Sequence, residues 1–324
     1  MSEMRWNPLI KDWVMIASNR QNRPLMPKEW CPFCPGSGKV PDDYEVYKYD
    51  NDFPSLSQEP AIPDVEQSDV FTAREAYGKC EVILYSSEHT TTLSELTVEH
   101  IKKLVDLWTE RFIELQKDKR IKYVYIFENK GGAVGATISH PHGQIYGYPY
   151  VPKKLQLELE ACKEHYISNN KCLICDIIEG EQQSGKRVIF ENEDFIVFLP
   201  YFSECPYGIY VASKKHIQNL AQLDIAARFS LAKTIKEVIG TLDKLFGFTF
   251  PYMMCMHQEP VNGEDYSDYF HFHIEFFSPL RSANKQKYNA SGETGAWAHV
   301  NPTLPEENAV VLRVAYRKFI STSK

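Results

Sequence analysis

YVYIFENKGGAVGATISHPHGQIYGYPY, residues Tyr123 to Tyr150, is the stretch on which the reading of the chain turns. It starts as a strand, Tyr123 to Phe127, and breaks into a loop at Asn129, Gly131, Gly132 and Gly135. It then extends again through His140, Pro141, His142, Gly143 and Gln144. Side chains two apart on an extended segment point to the same side, so His140, His142 and Gln144 form one row. A loop containing glycines lets backbone N–H groups approach a phosphate closely. Imidazoles aligned beside such a loop point to attack on phosphorus, and the row is the candidate site.

Working outward, the same order of features occurs twice. Cys31 and Cys34 form a Cys-x-x-Cys pair that resembles a zinc knuckle, followed by the turn Asn51-Asp52-Phe53 and by His89 after a strand at Glu81 to Tyr85. Thr97 then caps an amphipathic helix whose apolar positions Val98, Ile101, Val105, Trp108, Phe112 and Leu115 recur every three or four residues. Beyond Pro149 and Pro152, Cys172 and Cys175 answer the first pair, Asn192 to Phe195 the turn, and His216 answers His89. Asp224 caps a second amphipathic helix, Ile225, Phe229, Ala232, Ile235, Ile239, Leu242 and Phe246, which ends at Gly247. Tyr269 to Phe277 alternates as a half-buried strand, and its His271-x-His273 answers His140-x-His142. The chain is a duplicated domain, with residues 1–150 as the first repeat and 151–324 as the second.

What is repeated is a metal site. Cys31, Cys34, His89 and His140 make one Cys₂His₂ set, and Cys172, Cys175, His216 and His271 make the other. Four protein ligands leave no position open, the signature of a structural rather than a catalytic zinc. The first histidine of each His-x-His is thereby assigned to metal, and His142 is left outside the set, oriented by the ligand two residues away. His273 holds the matching place in the second repeat, without the glycine loop before it or the glutamine after it. One half is read as active and the other as structural.

The net charge of -7 and the pI near 5.8 give no basic footprint for nucleic acid. No apolar run approaches the length of a membrane span, and the start MSEMRWNPLIKDW lacks a signal-peptide core, so a cytoplasmic protein is expected. Cys80, Cys162, Cys205 and Cys255 lack motif spacing and read as small buried residues. After a strand at Trp13 to Ala17, the polar segment Ser18 to Pro24 carries Arg20 and Arg23, a pair able either to hold a phosphate or to sit in a solvated loop.

At this point the residues resemble the histidine-triad superfamily and, more narrowly, the galactose-1-phosphate uridylyltransferase family, which is built from two such repeats. The resemblance rests on Arg20-x-x-Arg23-Pro24, the first cysteine pair, Asn51-Asp-Phe53, His89, Asn129-Lys-Gly, Gly135, His140-Pro-His-Gly-Gln144, His271-x-His273 and Pro279-Leu-Arg-Ser282. It implies a ping-pong exchange of a uridylyl group between UDP-glucose and galactose 1-phosphate. By the same resemblance His142 is the nucleophile and Gln144 hydrogen-bonds the transferred phosphoryl oxygens. Asn51 and Asp52 contact the nucleotide, and Arg23 and Asn129 lie near the phosphates, with Arg20, Gly135 and Thr137 among the binding residues. Thr137 stands where many members have serine and keeps the hydroxyl. Lys287, Tyr288 and Glu293 match the sugar-recognition segment, which reaches the partner's site in a homodimer. Some members bind metal through residues matching Glu158, His257, His271 and His273, an alternative second site that draws on His271 as well. Zinc is implied for the first site, zinc or iron for the second, and no organic cofactor.

The fold expected is α+β, two fused histidine-triad-like repeats, each an antiparallel sheet backed by a helix. The nearest rival function is an ADP- or UDP-sugar phosphorylase on the same scaffold, taking inorganic phosphate in place of a sugar phosphate. A zinc-knuckle binding module is the rival from another class. It has no use for His142 and its glycine loop.

Overall fold

The structure is a computed structural model and describes residues 2–22 and 30–322. The first repeat supplies strands β1 (Ser2–Asn7), β2 (Asp12–Ala17), β3 (Tyr47–Asp50), β4 (Ala73–Glu75) and β5 (Lys79–Leu84), helix α1 (Val98–Leu115), and strands β6 (Tyr123–Lys130) and β7 (His142–Tyr148). Helices α2 (Lys153–Asn169) and α3 (Leu173–Ser184) lead into β8 (Val188–Glu191), β9 (Phe195–Phe198) and β10 (Ile209–Ser213). Then come α4 (Ile225–Phe246), β11 (Tyr252–His257), β12 (His273–Phe277), β13 (Leu280–Ser282), β14 (Lys285–Gln286), α5 (Ser291–Ala296) and α6 (Pro305–Thr322).

Nine strands form one antiparallel sheet in the order β3-β5-β7-β6-β11-β12-β10-β9-β8. Apart from β8, the order is a palindrome in which β6 answers β11, β7 answers β12, β5 answers β10 and β3 answers β9. The repeats expected as separate sheets are therefore joined edge to edge where Phe127 pairs with Cys255 and Lys130 with Tyr252. The two repeats are fused into one α+β body.

One face of the sheet carries α1 and α4 side by side. Thr97 accepts from the His100 N–H and Asp224 from the Ala227 N–H, so both helices start at the residues their sequences mark. Each such cap contributes about 1 kcal/mol. Trp108 and Phe112 of α1 are buried against Val124, Ile126 and Ile145 in a core that runs without a break into Ile235, Val238 and Ile274 of the second repeat. The stripe expected on α4 is rotated at its start: Ile225 is 76% and Phe229 41% exposed, and burial begins in earnest at Leu231. Helix α6, absent from the sequence reading, packs on α4. Gly240 permits this, since a Cβ there would overlap the ring of Phe319.

The other face is covered piecewise. The small sheet β2-β1-β4 packs Met4 over Cys80 and Tyr146. The cysteine knuckle sets Phe33, Val40 and Tyr44 over Val82 and Leu84, and in the second repeat α2 and α3 cover Ile196, Phe198 and Ala212. Strand β12 departs from its expected half-burial, because both of its faces are closed: Ile274 and Phe276 enter the core under α4, while His273 and Glu275 are buried beneath α2. Its alternation separates apolar from ionisable residues, not inside from outside.

Candidate active site

Gly143 and Ile145 of β7 face the helices, which turns His142, Gln144 and Tyr146 to the opposite side, between the knuckle and the small sheet. His142 Nδ1 lies 2.7 Å from the carbonyl oxygen of His140. A carbonyl only accepts, so Nδ1 carries the proton and the neutral ring presents Nε2 as its basic nitrogen. Phe33 of the knuckle packs at 5.7 Å between ring centroids and limits the ring's rotation. Gln144 Oε1 accepts from the Tyr146 hydroxyl at 3.2 Å, and that hydroxyl accepts from Arg20 Nη1 at 3.4 Å. With its oxygen engaged, the amide of Gln144 has its two N–H donors to offer to an anion.

Asn129, Gly131, Gly132, Thr137, His140 and His142 line a cavity of about 210 Å³ where β6 ends and the glycine loop begins. Gly131 and Gly135 both have positive φ, +92° and +80°, so the loop doubles back over the end of β6 as only glycine does without strain. Gly135 caps the short turn Gly132–Val134 next to this lining. Asn51 and Asp52 follow β3 outside the lining. Asn51 Oδ1 closes a turn on the Phe53 N–H at 2.9 Å, and Asp52 accepts from the Tyr49 hydroxyl at 2.8 Å. Arg23 lies outside the described residues. Lys287 and Glu293 are paired with each other at the start of α5, Tyr288 is 73% exposed, and none of the three lines the cavity.

The metal sets assemble as quartets. The ligand atoms of Cys31, Cys34, His89 and His140 lie within 4.8 Å of one another, as do those of Cys172, Cys175, His216 and His271. His140 Nε2 donates to Ser86 O at 2.7 Å and His271 Nε2 to Ser213 O at 2.7 Å, which aims both Nδ1 atoms at the sulfurs. Burial holds the His140 ring down to about 4, so it stays neutral, as a metal ligand must. Donor type, number and convergence fit a tetrahedral zinc in each quartet.

The alternative set with His271 is not what assembles. His271 is turned to the cysteines, and Glu275 takes its place beside Glu158, His257 and His273 in a third group, also within 4.8 Å. The ion pairs Glu158 to His257 at 2.7 Å and Glu158 to His273 at 3.4 Å close this group. Its Glu158 Oε1 is buried without a hydrogen-bond partner beside the His273 ring, an orphan acceptor that fits a cation. The two sets that competed for one histidine are thus separate.

The family described as galactose-1-phosphate uridyl transferase, N-terminal domain, matches residues 1–152, and its C-terminal domain matches residues 158–315. The chain belongs to the galactose-1-phosphate uridylyltransferase family.

Among the relatives, the galactose-1-phosphate uridylyltransferase of Thermotoga maritima is 40% identical over 97% of this chain and 98% of its own length. That of Haemophilus influenzae is 30% identical over 88% of this chain and 86% of its own. A solved uridylyltransferase superposes with a TM-score of 0.89 at 30% identity, covering 98% of this chain and 99% of its own. An ADP-glucose phosphorylase from Arabidopsis thaliana, solved with ADP-glucose bound, shares the fold at a TM-score of 0.74 and 24% identity, over 97% of this chain and 99% of its own.

Within this galactose-1-phosphate uridylyltransferase family member, sequence reasoning missed Tyr146 and Glu275. Both carried a signal, since each stands two residues beyond a site residue in an extended row, Tyr146 after Gln144 and Glu275 after His273.

Proposed function

We propose that the chain exchanges a uridylyl group between UDP-glucose and galactose 1-phosphate through a covalent uridylyl-histidine at His142. The observation that carries this reading is the bond of 2.7 Å from His142 Nδ1–H to the His140 carbonyl, which leaves Nε2 as the attacking atom. Nε2 bonds to the α-phosphorus as the bond from phosphorus to the bridging oxygen breaks, and the electron pair leaves with glucose 1-phosphate. Galactose 1-phosphate then attacks the same phosphorus, giving UDP-galactose and returning the electron pair to Nε2. A sugar phosphate is a stable anion and needs no general acid, so the amide donors of Gln144 serve at the phosphoryl oxygens, with Asn129 and Thr137 at the cavity wall and Arg20 behind Gln144 through the Tyr146 hydroxyl. The fixed Nδ1 proton is shared with the carbonyl as the ring gains positive character.

The first repeat, residues 1–150, is the active half and 151–324 the supporting half in this reading. Zinc in both cysteine quartets would anchor the knuckle and His140, and through His140 the nucleophile. The third group, with two carboxylates and two imidazoles, suits a harder divalent ion such as iron. Lys287, Tyr288 and Glu293 lie off the cavity of their own chain, which supports a homodimer in which they serve the partner's sugar pocket. Eight cysteines without a disulfide agree with a reducing cytoplasm.

The test is to supply UDP-glucose alone. A stoichiometric burst of glucose 1-phosphate with an acid-labile uridylyl group on His142 is expected, and turnover should then require galactose 1-phosphate. Inorganic phosphate replacing the sugar phosphate at comparable rate would turn the assignment to a phosphorylase.

A further inference from the structure

Lys154 and Glu158 stand four residues apart near the start of α2 and share the face that this helix lays over β12. The ammonium of Lys154 sits 2.8 Å from Glu275 Oε2, and the Tyr210 hydroxyl donates to Glu275 Oε1 at 2.6 Å. Both oxygens of this buried carboxylate are therefore engaged. The oxygen that Lys154 holds is the one that faces His257 Nε2 at 3.6 Å. Across the same group, His273 Nδ1 donates to His271 O, which leaves Nε2 of the neutral ring an acceptor. That nitrogen faces the orphan Glu158 Oε1 at 3.4 Å. Acceptor meets acceptor there, whereas at Glu275 the ammonium already supplies a positive charge.

The lysine is not enclosed as the rest of the group is. Its side chain is 54% exposed, against 3% for Glu275 and 2% for each imidazole, so it reaches inward from solvent and can withdraw without disturbing the core. A cation in the first turn of a helix also lies at the positive end of the helix dipole, which favours its departure. Glu275 and the Phe277 ring, whose centroid is 4.8 Å from Nζ, are what retain it. We propose that Lys154 is the competitor of the ion in the third group: its ammonium holds Glu275 Oε2 while the group is empty and withdraws before Glu275 serves as a ligand beside Glu158, His257 and His273. The role rests on the reading of this group as a divalent-cation site. It has two consequences. Breaking the ion pair weakens metal binding, and the ammonium spares the empty group two unopposed buried carboxylates.

The full chain, with one zinc in each cysteine quartet, is titrated with Mn²⁺, a hard ion suited to carboxylates and not to thiolates. Free Mn²⁺ is read from its electron paramagnetic resonance signal, independently of catalysis. Lys154→Met keeps the stem of the side chain and removes the charge. Its Kd for Mn²⁺ should be lower than that of wild type by about tenfold to a hundredfold, the scale on which groups in contact with ligands tune a metal site. In Glu275→Gln the ion pair is already gone, so adding Lys154→Met to it should shift binding by less than about twofold. Without Mn²⁺, Lys154→Met should melt below wild type, and saturating Mn²⁺ should raise its Tm by more than it raises that of wild type. Equal Kd values for wild type and Lys154→Met, within about twofold, overturn the role of Lys154 and leave the cation site standing. The same tightening by Lys154→Met in the Glu275→Gln background also overturns it, because the effect is then one of net charge and not of competition for Glu275. No Mn²⁺ bound by any of the four proteins removes the cation site and the proposal with it.

Discussion

His142 and His140 are joined twice: through the single residue Pro141 in the chain, and by the bond from the Nδ1–H of His142 to the carbonyl oxygen of His140. The ring of His140 is at the same time turned to the sulfurs of the knuckle, with Cys34 Sγ at 3.7 Å. The residue that belongs to the candidate metal quartet is therefore also the one that selects the tautomer of the proposed nucleophile. The same pair of bonds recurs in the second repeat, where His273 Nδ1 donates to His271 O at 3.0 Å and His271 faces Cys175 at 3.3 Å.

Replacing His142 with glycine removes the nucleophile and leaves both quartets intact. The variant should fold with an unchanged circular dichroism spectrum and transfer nothing, a loss of at least about 10⁴ in kcat. Imidazole in solution, or uridine monophosphate preloaded on imidazole, should restore part of the cycle by filling the vacated space. Near-normal turnover by this variant would replace the covalent route with direct transfer in a ternary complex.

Cys31→Ser should release the ion of the first quartet and lower stability by on the order of 3–5 kcal/mol, the scale of losing a structural metal. Activity should fall with it, because Phe33 and His140 both brace His142. Urea unfolding with metal analysis of the same samples reads both quantities. Full stability and full activity in metal-free protein would remove the structural role.

Glu275→Ala should empty the third group while the Cys172 and Cys175 quartet keeps its ion, so the metal content should fall by about one per chain in a fully loaded preparation. Anomalous scattering at the metal edges locates whichever ion remains. An ion shared by His271 and His273 would contradict the separation of the two groups.

Stability should depend on pH through Glu128. Its carboxyl is raised from 4.5 to about 7 in the folded protein, chiefly by burial. Between those values the folded state holds a proton that the unfolded chain has released, so stability falls as pH rises, by up to about 3 kcal/mol across the window. Below about 4.5 and above about 7 this group contributes no slope. Urea midpoints for wild type and Glu128→Gln should diverge only within the window, and parallel curves would refute the buried titration.

Motifs with fixed spacing are legible without coordinates, since Cys-x-x-Cys, His-x-His and the capped helices at Thr97 and Asp224 dictate local geometry that survives folding. What sequence periodicity does not report is which neighbour covers a face. Strand β12 reads as amphipathic, yet α2 closes its polar side, so alternation alone puts Glu275 in solvent and not among ligands. Ile225 and Phe229 fit a helical stripe but precede the point where α4 meets the sheet. Helix α6 escapes notice because Val310, Val311 and Val314 are exposed and blur its apolar side. The row of the proposed site is legible at His142 and Gln144, while the brace of Tyr146 and Arg20 behind Gln144 joins residues 126 positions apart in the chain.

The pairing of β6 with β11 sets the terms on which the first repeat can exist. Severed from its companion, the first repeat would expose the whole open border of β6, five residues of unpaired backbone with Phe127 and Tyr125 beside it. Such a border recruits any strand that fits, and the strand that fits best is another β6 in antiparallel register, which the palindromic order already mimics with β11. A half-chain ending near residue 150 is therefore expected to self-associate across that border, rebuilding with two identical copies the sheet that the full chain builds from two unequal ones. It would then carry two copies of His142 where the fused protein carries one.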